Sequence, residues 1–380
     1  MSLAYLVLVL TLIAIPYTLY PLLLWLRARF FADPPSRADI TPDVDLVICA
    51  HNEERVIAAR LENALKLDYP LEHLTIWVAS DGSTDETVDI VRQFDPDRVR
   101  CMDLPRGGKA AALNACVAAG RAQVIAFSDA NSQWSPQALR MLTRSFADPQ
   151  VGGVAGDQRY VKDSQGAIGE RSYWSFDRVL KDWQSRAGNV ISATGAIYAV
   201  RRELFQPAPP DATDDFVVST SVIAQGKRLV FERDAVAMES PASDAGEYQR
   251  KVRILTRGLR AVYYRRELLL PSRSGFYSVQ LLLHKLWRRM TWLPLLLLLP
   301  APLYAADGPF QLMVAIAVVG VITLGVSGLV RSSLRRFKLV DVAAYVLMVN
   351  AACMVASYNA LRGHRVSHWN PTGTSAGVTP

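Results

Sequence analysis

Both ends of this chain are too apolar to form an ordinary water-facing surface, and that fixes what the rest can be. Leu3 to Leu26 is almost wholly apolar, and a helix needs about 20 such residues to cross a bilayer. Towards the other end, Phe310 to Val330 and Leu339 to Leu361 have the same character. Trp292 to Ala306 is apolar too, but carries Pro294, Pro300 and Pro302. Between these ends the composition is that of a globular domain, so the overall 51% hydrophobic content of the 380 residues describes neither part. The leading apolar run lacks a basic start and a small-residue cleavage site, which favours an anchor over a cleaved signal.

The net charge of +7 invites a nucleic-acid reading, but the basic residues sit elsewhere. Arg27, Arg29 and Arg37, then Arg288 and Arg289, then Arg331, Arg335, Arg336 and Lys338 all flank apolar segments. That is the pattern of membrane orientation, and it places the globular middle in the cytoplasm. No nucleic-acid partner is expected. Four crossings is the favoured arrangement, with the 331–338 loop cytoplasmic. It leaves Arg362 and Arg365 on the wrong side of the charge rule, while a re-entrant proline-rich segment would put the basic loop outside. Cys49, Cys101, Cys116 and Cys353 lack metal-like spacing and read as reduced and packed.

Asp33 to Ser36 is a short linker, and from Val44 to about Ser240 strand and helix patterns alternate, which argues for a parallel or mixed sheet with helices on both faces. Strands are expected at Val44–Ala50, Leu74–Ser80, Arg98–Met102 and Val124–Phe127. The loops after three of them carry Glu53, Asp81 and Asp129. Gly82 permits a tight turn, and Ser83, Thr84 or Asp85 is placed to cap the next helix. Arg106-Gly107-Gly108-Lys109 opens a helix whose N-terminus suits an anion. Ser135 is a candidate N-cap with Pro136 at the first helical position. Ligands of open α/β sheets sit outside the carboxyl ends of the strands, so a shared site there is the expectation. Asp129, with an amide oxygen two residues on at Asn131, offers hard ligands for a divalent cation carrying phosphates.

The set Asn52-Glu53, Asp81-Gly82-Ser83-Thr84-Asp85, Gly108-Lys109 with Leu113-Asn114, and Ser128-Asp129-Ala130-Asn131 closely resembles family 2 glycosyltransferases of the GT-A fold. The likeness continues through Ala193-Thr194-Gly195-Ala196, Thr213-Asp214-Asp215-Phe216 and Arg250-Lys251-Val252-Arg253. It covers roughly residues 44 to 260, and the flanking apolar segments fit the membrane-integral members that make cellulose, hyaluronan or poly-N-acetylglucosamine. The resemblance implies an α/β fold: a Rossmann-like mixed sheet of GT-A type with flanking transmembrane helices. It also implies roles. Asp81, with His51 and Glu53, would hold the nucleotide, and Lys109 and Ser128 would lie near nucleotide or sugar. Asp129 and Asn131 would hold Mg2+ or Mn2+ at the diphosphate. Gly195 would let the backbone approach an acceptor sugar. Asp215, with Asp214 beside it, would be the catalytic base of an inverting transfer, and Arg250 and Arg253 would reach the diphosphate.

Four positions depart from the family pattern. Asn131 stands for the second metal aspartate, a weaker partner for a hard cation. Asp214 stands for Glu, Arg250 for Gln, and Ile254 for the Trp on which an acceptor sugar stacks, which leaves processive synthesis open. The basic cluster from Arg250 to Arg260 also suits anionic lipid, and Ser274 to Arg289 reads as an interfacial helix.

The implied whole is a multi-pass enzyme of the inner (plasma) membrane with a cytoplasmic catalytic domain. It would move a sugar from a nucleotide-sugar donor, UDP-hexose or UDP-N-acetylhexosamine, to a growing cell-surface polysaccharide or a lipid-linked acceptor. Membrane lipid and polysaccharide-export proteins are its expected partners. Its parts divide as a transmembrane helix over 1–28, the GT-A domain over 40–265, the interfacial helix over 266–290, transmembrane helices over 291–362 and a tail over 363–380. A polyprenyl-phosphate acceptor is the alternative, against which the Asp214-Asp215 pair speaks, since a phosphate acceptor needs little base assistance. An inactive scaffold that binds nucleotide-sugar is another, against which intact Asp81, Asp129 and Asp215 speak. A transporter is a third and weaker one, because polar residues within the spans are scarce and no paired broken helices appear.

Overall fold

A computed structural model describes residues 2–160, 168–239 and 246–364, with side chains omitted for 168–175. Arg365 and the tail beyond it lie outside these residues. The chain enters through two helices, α1 (Leu3–Ala14) and α2 (Leu19–Phe30), bent by 50°. The bend has a cause in Pro16, which cannot donate to the carbonyl four residues back. That carbonyl belongs to Leu12, and the indole N–H of Trp287 donates to it instead at 2.8 Å.

The globular part follows as β1 (Val44–Ala50), α3 (Ile57–Leu65), β2 (Leu74–Asp81), α4 (Thr87–Val91), β3 (Val99–Leu104), α5 (Lys109–Ala119) and β4 (Val124–Asp129). Next come β5 (Gln133–Trp134), α6 (Ala138–Arg144), β6 (Val151–Tyr160), α7 (Ile168–Arg186), β7 (Tyr198–Arg201), α8 (Asp214–Ala224), β8 (Arg228–Glu239) and α9 (Glu247–Tyr264). The eight strands form one mixed sheet in the order β3-β2-β1-β4-β7-β6-β8-β5. β1 to β4 run parallel, and β7 enters antiparallel to β4. β1 alternates its side chains between two buried layers, Val47 and Cys49 towards one and Leu46 and Ile48 towards the other. Helices therefore cover both faces, as the alternating pattern required.

One boundary differs from the sequence expectation. Gln133–Trp134 pairs antiparallel with Ala237 and Met238 of β8, so the chain after Asp129 makes a short strand first. The helix then starts at Ala138, with Gln137 at its cap, and neither Ser135 nor Pro136 opens it. No local signal announces a two-residue strand whose partner lies about a hundred residues away.

Beyond α9, the stretch read as one interfacial helix is broken. It comprises α10 (Pro271–Ser274), α11 (Phe276–Gln280), a wide π turn over Leu281–Leu286 and a tight turn over Trp287–Arg289. His284 in the π turn is buried. Its ring lies 5.3 Å from that of Tyr20, and its Nε2 is 3.9 Å from Asp177. This face therefore packs on protein, where an interfacial helix would present it to headgroups. The apolar run after it is α12 (Trp292–Leu297) and a tight helical stretch over Ala301–Asp307, interrupted around Pro300. By length and apolarity, two described helices suit a membrane crossing, α13 (Pro309–Val330) and α14 (Lys338–Leu361), with the bent α1–α2 pair a third if it counts as one span. α14 packs along α9 and so ties the apolar carboxyl-terminal helices to the globular part.

Candidate active site

The parallel strands end together. Ala50 of β1 is in register with Ser80 of β2, and Cys49 with Asp129 of β4. Strand order reverses at β1, because β2 and β3 lie to one side and β4 to the other. That is where an open α/β sheet leaves a crevice at its carboxyl edge.

Three loops build one side of the crevice. Asn52 takes a left-handed backbone (φ 54°), which Asn tolerates better than most residues. Its N–H donates to Ser83 Oγ at 3.2 Å, and its Oδ1 accepts from Thr84 N–H at 2.8 Å. The N–H of Glu53 donates to Thr87 Oγ1 at 2.8 Å, and Asp85 caps α4 by accepting from the N–H and hydroxyl of Thr87. His51 donates from Nδ1 to the Asp81 carbonyl at 2.8 Å. The loop after β1 is thereby stitched to the loop after β2.

Asp81 organises the third loop. Its Oδ1 accepts from the backbone N–H groups of Gly107 and Gly108 at 2.7 and 2.8 Å. Its Oδ2 is buried without a hydrogen bond, 3.6 Å from Arg106 Nε. Gly82, at φ +61°, lies so close that a Cβ would stand 2.8 Å from the Arg106 backbone nitrogen. Asp81 thus holds the turn that aims Lys109 through Oδ1 and leaves Oδ2 towards Arg106.

Lys109 is the centre of the site. Its ammonium stands 2.5 Å from Asp129 Oδ1 and 3.3 Å from Asp214 Oδ2. Burial alone would lower its pKa, but Asp129 and Asp214 outweigh burial and raise it well above the usual value. Gly195 closes over this pair, since a Cβ there would meet Asp129 Oδ2 at 2.9 Å and Lys109 Nζ at 3.2 Å. Ser128 faces away, accepting from the buried guanidinium of Arg60 through Nε and Nη2 at 3.3 and 3.1 Å. It supports the Asp129 turn from below.

Asp214 and Asp215 begin α8, and Asp215 Oδ1 accepts from the Phe216 N–H at 2.7 Å. Burial and then Asp214 push the Asp215 carboxyl up, while Lys285 and Lys109 oppose that rise. Glu53 is pushed up to about 7, by burial first and then by Asp129 and Asp85. Glu239, at the end of β8, is also pushed up to about 7 by burial and then Asp129, although it accepts from Gln158 at 2.5 Å and from Ser132. Glu53 and Glu239 thus each feel the charge of Asp129, whose ion-pair partner is Lys109.

A divalent cation fits that arrangement in one way. Among the described residues no three His, Cys, Asp or Glu side chains form a metal cage. Asn131 is exposed on its turn. Asp129, with Asn131 two residues on, would hold a cation that arrives on phosphates and keeps most of its other oxygens from them.

α9 closes the remaining side. Arg257 donates to the Ala212 carbonyl at 2.6 Å, Arg260 pairs with Asp211, and Arg265 donates to the Val217 carbonyl at 2.9 Å. These three arginines hold the segment that presents Asp214 and Asp215. Arg250 and Arg253 lie one to two turns earlier and are half-buried. Burial, then Arg257 and Arg250, lower the Arg253 pKa. Ile254 is 47% exposed, so the position of the family's stacking Trp is an open surface here.

Of the residues the sequence singled out, the structure brings His51, Glu53, Asp81, Lys109, Asp129, Gly195, Asp214 and Asp215 to one end of the sheet. Asn131 lies on the exposed turn beside Asp129, while Ser128 turns to Arg60 and Arg250 and Arg253 lie along α9. The sequence reading did not single out Glu239, Tyr198 or Lys285 for this site. Tyr198 stacks on Phe127 at 4.6 Å, and its hydroxyl is buried without a hydrogen bond. It lies close enough to Asp214, Asp215 and Asp129 that their charges, after burial, help raise its pKa. Lys285 sits over the Phe216 ring, 4.5 Å from its centroid. None of the three carries a local signal.

Residues 45–207 match the family model described as Glycosyl transferase family 2. The beta-monoglucosyldiacylglycerol synthase of Nostoc sp. is 28% identical over 169 residues, 43% of this chain and 36% of that protein. An N-acetylglucosaminyltransferase of Rhizobium meliloti is 26% identical over 216 residues, 51% of this chain and 50% of that protein. The chain thus spans half or less of the length of these relatives. Among solved structures, a mannosyltransferase from Pyrobaculum calidifontis in complex with GDP-Man and Mn2+ superposes with a TM-score of 0.69. It is 21% identical, and the superposition covers 94% of this chain and 99% of that one. The fold is the GT-A fold, with two apolar helices at its carboxyl end long enough to cross a membrane.

Proposed function

We propose that the protein is a membrane-bound, inverting family 2 glycosyltransferase that moves a sugar from a nucleotide-sugar donor to a hydroxyl of a glycan or lipid acceptor. One observation carries the reading: Lys109, Asp129, Gly195 and Asp214-Asp215, from four separated stretches, meet at the carboxyl ends of β1 and β4. The family match over 45–207 and the synthase-type relatives support the enzyme class.

The work divides among the residues present. The loops of His51, Glu53 and Asp81 form the wall against which a nucleotide would rest. Lys109 offers positive charge where a diphosphate leaves, and Asp129 is the carboxylate placed to share a Mg2+ or Mn2+ ion with that diphosphate. A bound cation would supply charge neutralisation of the leaving group. Asp215 takes the proton of the acceptor hydroxyl as its oxygen bonds to the anomeric carbon. Attack on the face opposite the leaving diphosphate inverts that centre. The raised basicity of Asp215 serves this role, because a carboxylate of ordinary acidity is a weak base near neutrality.

The test uses the full chain in detergent with UDP-glucose, UDP-N-acetylglucosamine and GDP-mannose in turn, with Mg2+ or Mn2+, measuring nucleoside diphosphate release. One donor should be turned over, chelator should stop the release, and Asp129→Ala should stop it without unfolding the protein. No release from any donor, or full release in excess chelator, would sink the corresponding part of the proposal.

A further inference from the structure

The π turn Leu281–Leu286 belongs to the membrane-side segment, yet it sends a lysine into the site. Such turns widen a helix and re-aim one side chain, and they recur at functional positions. Lys285 Nζ stands 3.2 Å from Ser192 Oγ, three residues before Gly195, and over the ring of Phe216, the residue after Asp215. Among the described residues Lys285 and Asp215 make no direct ion pair. Each nevertheless feels the other: burial and then Arg289 lower the Lys285 pKa to about 7 while Asp215 opposes that fall, and burial and then Asp214 raise that of Asp215 while Lys285 opposes that rise. An ammonium has three donors. One faces Ser192, and the ammonium rests on the ring of the residue next to Asp215.

Resting on the glycosyltransferase reading, we propose that Lys285 binds the acceptor, holding its hydroxyl oxygen beside the Asp215 carboxylate that receives its proton. A hydroxyl is the fitting chemistry. It accepts a hydrogen bond from the ammonium while donating its proton to Asp215, whereas an anionic acceptor would meet Asp214 and Asp215 with like charge. The other charged groups facing Lys285 are Arg289 on its own segment and Asp177 and Lys181 on α7. Around Asp215 they are Asp214 and Lys109, together with the titratable phenol of Tyr198. Removing Lys285 withdraws one of the two cations that keep Asp215 ionised, so Asp215 would stay protonated to higher pH.

The experiment uses the full chain in lipid nanodiscs, with the three nucleotide-sugars above as donors and dioctanoylglycerol or octyl glucoside as hydroxyl acceptors. In Lys285→Met the acceptor KM should rise about 10-fold or more, the worth of one charge-assisted hydrogen bond. The acid limb of the kcat/KM profile should move up by about one pH unit. Donor affinity by calorimetry should be unchanged, and Lys285→Arg should recover most of the acceptor KM. A wild-type acceptor KM with an unmoved acid limb in Lys285→Met overturns the proposal. If the unsubstituted protein turns over none of these pairs, the glycosyltransferase reading has failed. In that case, or if Lys285→Met loses donor binding, the pairing is decided without turnover. Acetylation of Lys285 by acetic anhydride, followed across pH by mass spectrometry, should reach its midpoint at lower pH in Asp215→Asn. An unmoved midpoint overturns the proposal on that route.

Discussion

Gly195→Ala isolates the contact on which the site most depends. The backbone of Gly195 is outside the left-handed region, so alanine meets no conformational penalty there, and the effect comes from one methyl group. That methyl would stand 2.9 Å from Asp129 Oδ2, 3.2 Å from Lys109 Nζ and 3.3 Å from Asp129 Oδ1. The first of these is about 0.5 Å short of ordinary van der Waals contact, so something must retreat. Asp129 is the group that moves, because its side chain is 31% exposed while Lys109 is only 13% exposed. Its swing towards solvent stretches the ion pair with Lys109, which keeps Asp214 as a partner. Overpacking at a buried position costs roughly 1–3 kcal/mol, and the freedom of Asp129 puts this site at the low end, about 1 kcal/mol. Function should suffer more than stability, since misplacement of about 1 Å at a reacting centre costs on the order of 10²-fold. Turnover should therefore fall by about 10-fold to 10²-fold while the melting temperature moves by only a few degrees. Gly320→Ala, where a Cβ meets open space, is the control. Wild-type turnover in Gly195→Ala would refute the placement of Gly195 against Asp129, and loss of folding would refute the claim that Asp129 yields.

Asp215→Asn keeps the acceptor that holds the Phe216 N–H but removes basicity, so transfer should fall by about 10²–10⁴-fold with donor affinity by calorimetry nearly unchanged. Near-normal transfer would pass the role of base to Asp214. Glu53 and Glu239, both pushed up to about 7, keep protons in the folded chain that the unfolded chain has already lost. Stability should accordingly fall as pH rises from about 4.5 through 7, and the melting-temperature gain from Mn2+ should be larger at about pH 8 than at about pH 5. An equal gain at both would argue that the cation does not bind near these carboxylates. Ser332→Cys, in the turn between α13 and α14, should resist an impermeant thiol reagent in intact cells. Ready labelling would place the basic loop 331–338 outside the membrane.

Much of the site is legible because its parts are local. Val124 to Phe127 announces a buried strand by its own apolarity, and Asp129 follows at once where a strand must end. Gly82, Asn52 and Asp85 declare their turns through backbone freedom and short polar side chains, properties the residue types carry before any partner is known. What the chain order alone cannot convey is which loops share an edge. Lys109 reads as a helix-start residue until the pairing of β1 with β4 brings Asp129 to 2.5 Å from it and α8 brings Asp214. Gly195 reads as an acceptor-side glycine until β7 pairs with β4 and sets the loop before it against Asp129. Lys285 and Trp287 fall in the stretch Ser274 to Arg289 that reads as one interfacial helix. Only the folded chain turns one onto Phe216 and the other onto the Leu12 carbonyl that Pro16 leaves without its helical partner. Turns and strand ends are decided by sterics within a few residues, so the amino-acid order carries them. Partners tens to hundreds of residues apart are decided by sheet order and packing, where the energy of a contact exists only once the chain has closed around it.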